Sequence, residues 1–240
     1  MQTSGGTFAL NGGVTSLNTP PYKMNINCSI VGADISNLFY SFDNFKQSAI
    51  THKNLKGQLT TSVNFNSLLK KDYSIQPSSM NGQVILQVKN GALVDFEPLE
   101  VVTKYAFKNR GLDNIEFAKL RDTMTINGQD ITLSRMEIQS TAFTLFVEGT
   151  YSFVAGKTDL SVQIPLSNLK KRDTDYKPEN VGIDKRMGAS IFLRAYDDSD
   201  GKLQIKYDPF KSYYKEKFAA DSSSIQYSTE KKEKKKKKDK

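Results

Sequence analysis

Across 240 residues there is one cysteine, one histidine and no tryptophan. Each scarcity closes a class of chemistry. Cys28 alone cannot form an intramolecular disulfide, and its ordinary role is that of a small buried side chain. A catalytic thiol needs an imidazole partner. The only imidazole, His52, lies in a polar stretch that nothing ties to Cys28. One Cys and one His also fall short of the nitrogen and sulfur ligands of a zinc site. Long apolar runs are missing: no segment approaches the roughly 20 apolar residues of a transmembrane helix. The opening Met1-Gln2-Thr3-Ser4-Gly5-Gly6 has neither the basic start nor the apolar run of a secretory leader. Phosphate-binding loops, dinucleotide-binding glycine fingerprints and nucleophile elbows are likewise absent. The pairs Gly5-Gly6 and Gly12-Gly13 read as turns or breaks between strands.

What is present is enough to fold. Leu, Ile, Val and Phe number 60, a quarter of the chain, above the roughly 20% level below which disorder is the default. The net charge is +8, and the stretch 229–240 carries eight lysines against three acids, so +5 of it belongs to that stretch. The basic character is therefore a property of the tail, and it is poor support for nucleic-acid binding by the folded part.

Apolar and polar residues alternate with period two along most of the chain. Tyr22, Met24, Ile26, Cys28 and Ile30 share one strand face, with Lys23, Asn25, Asn27 and Ser29 on the other. Residues 7–10, 55–65 and 82–96 read the same way, the last with Asn90-Gly91 as a hairpin turn. A second hairpin is expected over 123–140. A four-residue loop, 127–130, pairs Ile126 with Ile131 and Met124 with Leu133, which keeps the apolar residues on one face. Phe143, Leu145, Val147, Tyr151 and Phe153 share a further face, as do Leu160, Val162, Ile164 and Leu166. Residues 189–195 and 203–207 flank a polar turn at 197–201, and 167–182 reads as an exposed loop.

Two short helices are expected. Ile35, Leu38, Phe39 and Phe42 follow helical spacing behind Asp34 as N-cap. Residues 99–108 follow Pro98, with Glu100 early, Lys104 and Lys108 late and Gly111 beyond. The fold class is thus mainly β, or β-rich α+β: a curved antiparallel sheet, either an open groove or sandwich-like, with two short covering helices. Residues 1–210 form this domain, and 211–240 are a basic, largely disordered tail.

Candidate chemistry is thin. Asp197, Asp198 and Asp200 before Gly201 hint at a calcium loop. Position 12 of that loop would be Asp208 rather than glutamate, flanked by strands, so a polar turn is the better reading. Asp95 and Glu97, around Phe96, are the best acid pair, with no sign of the cleft such a pair needs. The aromatics keep company with Leu and Val, unlike the exposed basic-aromatic face of a nucleic-acid binder. No catalytic, cofactor or metal residue is assigned, and no enzyme activity is expected.

One ordered set of segments is distinctive. It runs Asn90-Gly91-Ala92-Leu93-Val94-Asp95-Phe96-Glu97-Pro98-Leu99, Leu112-Asp113-Asn114-Ile115-Glu116-Phe117 and Met136-Glu137-Ile138-Gln139-Ser140. It continues with Val147-Glu148-Gly149-Thr150-Tyr151-Ser152-Phe153 and Asp159-Leu160-Ser161-Val162-Gln163-Ile164-Pro165-Leu166. This order resembles the C-terminal region of AsmA-family bacterial envelope proteins, over residues 33–169. The resemblance implies an N-terminal inner-membrane anchor, a periplasmic body and a part in outer-membrane assembly. Larger family members resemble bridge-like lipid-transfer proteins with an apolar β-groove. The chain lacks the anchor and so reads as a C-terminal portion or as a truncated gene product. The resemblance implies phospholipid and envelope assembly proteins as partners and supplies no catalytic residue. A sheet with one apolar face either stays open to hold acyl chains or is sealed as ordinary core. The lysine tail is a solubilising terminus or a contact for anionic head groups.

Overall fold

The computed structural model describes residues 2–46, 50–97, 112–152, 156–169, 176–178 and 188–215. Alternating sequence becomes strand almost throughout. The strands are β1 (Gln2–Thr3), β2 (Gly6–Thr15), β3 (Tyr22–Asp34), β4 (Leu55–Leu69), β5 (Asn81–Val94) and β6 (Asn114–Phe117). They continue as β7 (Leu120–Asn127), β8 (Asp130–Gln139), β9 (Thr144–Ser152), β10 (Lys157–Pro165), β11 (Ser190–Asp197) and β12 (Leu203–Tyr207). All belong to one twelve-stranded sheet in the order β1-β2-β3-β4-β5-β7-β8-β9-β10-β11-β12, with β6 also on β5. Every pairing is antiparallel. The sheet does not close on itself. The expected mainly-β class holds, in its open form.

The hairpin between β7 and β8 has the expected register: Met124 pairs with Leu133 and Ile126 with Ile131. Asn127 and Asp130 close the ladder as a last pair, which leaves Gly128-Gln129 as the turn. Gly128 has φ +60°, the left-handed value that a tight hairpin asks of its first turn residue.

The expected turn at Asn90-Gly91 does not form. β5 runs straight through it, with β4 beside it on both sides: Gln58 pairs with Lys89 and Lys56 with Ala92. Asn90 does adopt a left-handed φ of 50°. The left-handed residue makes a bulge, and the ladder shifts register between Lys56 and Gln58. On its other edge β5 changes partner at the same place. β7 pairs up to Val88, and β6 takes over from Gly91. A Cβ on Gly91 would meet the Phe117 ring at 2.0 Å, so the ring lies directly against the backbone there. The long partner strand outvoted a local turn signal.

One expected helix is described. α1 (Ile35–Ser41) starts at Asp34, whose Oδ1 accepts the Asn37 N–H at 2.8 Å. Ile35 and Leu38 are buried. Phe42 is not on the buried face: it is the C-cap and 54% exposed. The helix stops one residue short of the last apolar position that the spacing predicts, and Phe42 points outward. The expected helix at 99–108 and the tail from 216 lie outside the described residues, as does Phe153. A single helical turn at 212–215 follows β12. It packs against the folded part through Tyr213 and Tyr214.

Candidate functional site

The register sorts the side chains of the whole sheet into two faces. Starting from Met24, Ile26, Cys28 and Ile30 on β3, the same face carries Leu10 and Val14 on β2. It continues through Val63 and Phe65 on β4, Val84, Leu86 and Val88 on β5, and Met124 and Ile126 on β7. Bulges between Ile30 and Ala33 and between Leu133 and Met136 insert extra residues without breaking the pattern. Beyond them the face holds Ile131, Leu133, Met136, Val147, Leu160, Val162, Leu193 and Ile205. A single apolar face thus spans β2 to β12.

Burial divides that face by position along the strands. One end is sealed. There Ile30, Ala33, Leu59 and Val88 pack beneath Ile35 and Leu38 of α1. A second cluster at the same end joins Ile115, Ala142, Phe143, Ile164 and Leu193. The middle is different: Met24, Ile26, Val63, Phe65, Val84, Met124 and Leu133 are all only half-buried. Among the described residues no second sheet lies over them. The sealed sandwich that the sequence left open as an alternative is therefore not what these residues form. One carboxylate interrupts the apolar field. Asp122, across from Leu86, accepts from the Ser134 hydroxyl at 3.1 Å through Oδ1. Its Oδ2 is enclosed without a hydrogen-bond partner.

Beside the sealed end the chain presents aromatics to solvent. Phe42 and Phe45 are 54% and 50% exposed and stack at 5.4 Å. Asp43, Asn44 and Phe45 all have positive φ, and Phe45 also meets Phe39 edge-on at 5.1 Å.

The opposite face is polar and is built in two ways. In the first half, Asn25, Asn66, Asn64 and Asn27 form a closed ring of amides. Asn25 donates to Asn66 at 2.9 Å, Asn66 to Asn64 at 3.1 Å, Asn64 to Asn27 at 2.6 Å and Asn27 to Asn25 at 2.9 Å. Each amide gives one N–H and one acceptor to the ring, so charge plays no part. Two shallow depressions of about 690 and 450 Å3 adjoin it where Gly13, Ala9, Ser29 and Ser62 leave space.

In the second half the polar face is ionic and covered. Arg135 donates to Glu148 at 3.4 Å and to Gln163 at 2.6 Å, and lies 4.4 Å from the Phe146 ring centre. Arg194 grips both oxygens of Asp159, at 2.7 and 2.9 Å. The turn at 209–215 folds over this cluster, with Tyr213 buried and the Tyr214 hydroxyl donating to Glu148 at 2.6 Å. Burial, then the Glu148 and Asp159 charges, push the Tyr213 phenol up to about 12. Burial and the Glu148 hydrogen bond raise Tyr214. Burial pushes Asp208 up, but hydrogen bonds from the Ser212 N–H and hydroxyl and the Tyr213 N–H outweigh it, so its carboxyl sits below the ordinary range. A further depression of about 580 Å3 opens beside Lys157, Arg194, Tyr196 and Lys206.

The residues singled out in the sequence take structural places. Cys28 is half-buried rather than fully buried, on the apolar face across from Val63. His52 staples the segment after α1. Its N–H donates to Asn44 at 2.8 Å, its carbonyl accepts from Ser36 at 2.6 Å, and its ring meets Tyr40 edge-on. Asp95 and Glu97 do not share a strand face, because β5 ends at Val94 and Asp95 turns with φ 44°. The stretch 197–201 is the polar turn expected. Asp198 Oδ1 accepts from the Asp200 and Lys202 N–H groups and Oδ2 from Gln204, which spends the carboxylate on the turn. The Lys202 N–H leads the effects that lower its pKa. Asp197 accepts from the Thr158 N–H. Among the described residues no group of three His, Cys, Asp or Glu could hold a metal ion.

The Asn ring was half visible, since Asn25 and Asn27 stand on the polar side of β3, but its partners Asn64 and Asn66 needed the register. The Arg135–Glu148–Gln163–Tyr214 cluster was missed. Tyr214 lies 66 residues from Glu148, and no local pattern marks the cluster. No helix of the described residues is long and apolar enough to cross a membrane. No family model, curated protein or solved structure matches the chain.

Proposed function

We propose that the open apolar face carries phospholipid acyl chains, and that the chain is a non-enzymatic envelope-biogenesis module of AsmA type. The observation that carries the reading is the broad field of half-buried apolar side chains across a sheet left open. Transferring each acyl methylene from water onto such a surface gains ~0.8 kcal/mol. An acyl chain asks for no hydrogen bonds, which suits a face whose only described carboxylate in its middle is Asp122. Exposed aromatics of this size suit a membrane–water interface, so the Phe42–Phe45 tip is the contact with the bilayer. The resemblance of the ordered segments to AsmA-type proteins supports, as part of this proposal, a periplasmic setting, an anchor in the inner membrane and a role in outer-membrane assembly. A sealed adaptor that only binds envelope assembly proteins would need a cover over Val63, Phe65 and Val84. The described segments bury the face toward its two ends, at Ile30, Leu59 and Val88 and at Leu69, Met80 and Ile126, and leave Val63, Phe65 and Val84 half-buried.

Lipid extraction of the purified protein, with mass spectrometry, and transfer of labelled phospholipid between vesicles test this. Phospholipid is expected in the extract. Phe65→Asp with Val84→Asp is expected to abolish both co-purification and transfer while leaving the β-sheet circular dichroism in place. Protein free of phospholipid, with transfer at background, sinks the reading.

A further inference from the structure

The two edges of the sheet are unlike. At one edge β12 is five residues long, bears Lys206 and follows Lys202. Short, lysine-bearing edges are how sheets resist adding strands. At the other edge β1 pairs only with Gly6 and Thr7. Beyond it, residues 9–15 of β2 pair with β3 on one side, and among the described residues no strand lies on the other. This seven-residue edge has no charge: the first charged side chain of the chain is Lys23. Neither proline nor a bulge interrupts it. It is also apolar where an edge should be wet, with Leu10 75% and Val14 38% exposed.

The pattern of that edge is symmetric about Gly12. Leu10 and Val14 stand two residues to either side of it, on the apolar face. We infer that β2 pairs with β2 of a second copy of this chain, antiparallel, about a two-fold axis at Gly12. That register sets each Leu10 opposite the other copy's Val14 and uses the whole of 9–15. Asn11 falls opposite Gly13 on the polar face, and a small residue faces a small one at the axis. Backbone N–H and C=O groups on the outward side of both strands find partners. With no charge in either strand, nothing repels at the axis. A two-fold axis perpendicular to the sheet keeps like faces together, so the two apolar faces join into one of twice the width. The pairing stands whether or not that face carries lipid.

Sedimentation velocity over a wide concentration range, with two kinds of variant, tests this. The unaltered chain is expected to pass from monomer to dimer as concentration rises. Leu10→Lys and Gly13→Lys each add a charge to the edge where there is room: Leu10 is exposed and a Cβ at Gly13 meets nothing within 4 Å. Both are expected to weaken dimerisation by at least about tenfold, with circular dichroism unchanged. Gln204→Lys, at the β12 edge, is expected to leave the dimer alone. In a Cys28→Ser background, Leu10→Cys with Val14→Cys is expected to give an oxidised, covalent dimer, and Leu10→Cys alone is not. A chain that stays monomeric at every concentration overturns the inference. So does a dimer indifferent to both lysine variants. Equal cross-linking by Leu10→Cys alone overturns the register.

Discussion

The two halves of the sheet keep the same apolar face and support it from behind in different ways. From β2 to β5 the strands run 10 to 15 residues. Their polar side is neutral, knitted by the Asn25–Asn66–Asn64–Asn27 ring and open to water. From β7 to β12 they run 5 to 10 residues. Their polar side holds both described ion pairs, under a tyrosine-bearing turn. Long strands gather enough ladder and cross-strand contact to stand with a wet back. Short strands gain stability from a covered one. The difference teaches that an open sheet need not be uniform to present one continuous surface.

The largest expected effect tests how far burial, rather than strand length, carries stability. Phe143 is 1% exposed in the cluster of the second half. Phe143→Ala is expected to cost about 3–5 kcal/mol in urea unfolding, through lost transfer energy and a cavity. Val63→Ala, on the half-buried middle of the first half, is expected to cost about 1 kcal/mol or less. Equal losses would erase the contrast between sealed end and open middle.

A smaller effect separates the two backs. Glu148→Gln removes the charge that Arg135 and Tyr214 share and is expected to cost about 1–2 kcal/mol, discounted because Arg135 keeps some solvent contact. That loss is expected to shrink in high salt. Asn64→Ala opens the amide ring, is expected to cost about 1 kcal/mol, and is expected not to respond to salt. A salt-dependent Asn64→Ala would break the comparison.

The smallest effects are those of pH, read by hydrogen exchange of the strands. Asp198 and Asp208 have lowered folded pKa values. Their contribution is present above the ordinary carboxylate range and is lost as pH falls below about 4. The raised pKa values of Tyr213 and Tyr214 work in the opposite sense. Their contribution is whole below pH ~10 and is lost as pH climbs toward the Tyr213 value of about 12. All four groups lie at or beyond residue 198; among the described residues of the first half, Asp72 is lowered by the Ser74 hydroxyl in an exposed turn. Exchange is therefore expected to rise first in β10–β12 at both extremes. Earlier loss of β3–β4 would contradict it.

Much of the fold was legible because the period-two signal is local. β3, the apolar register of the 124–133 hairpin and the Asp34 cap each follow from side chains a few residues apart. Asn90-Gly91 misled for the converse reason. Its turn propensity is real, and the left-handed φ is there, but β4 decides that the chain goes on. The apolar face was legible as a pattern. Its openness was not, because nothing in an alternating strand says whether another layer will cover it. The ionic cluster under Tyr214 was illegible, since it joins residues from four separate stretches.

The strand order has a consequence of its own. With β6 aside, each strand lies beside its predecessor in the chain, from β1 to β12. Among the described residues no strand is out of this order. Growth of such a sheet is a matter of counting: a hairpin inserted between two others widens the surface by about 10 Å, two inter-strand spacings, and asks nothing of the topology elsewhere. The architecture is a ruler, and its length is set by how many times the chain turns back.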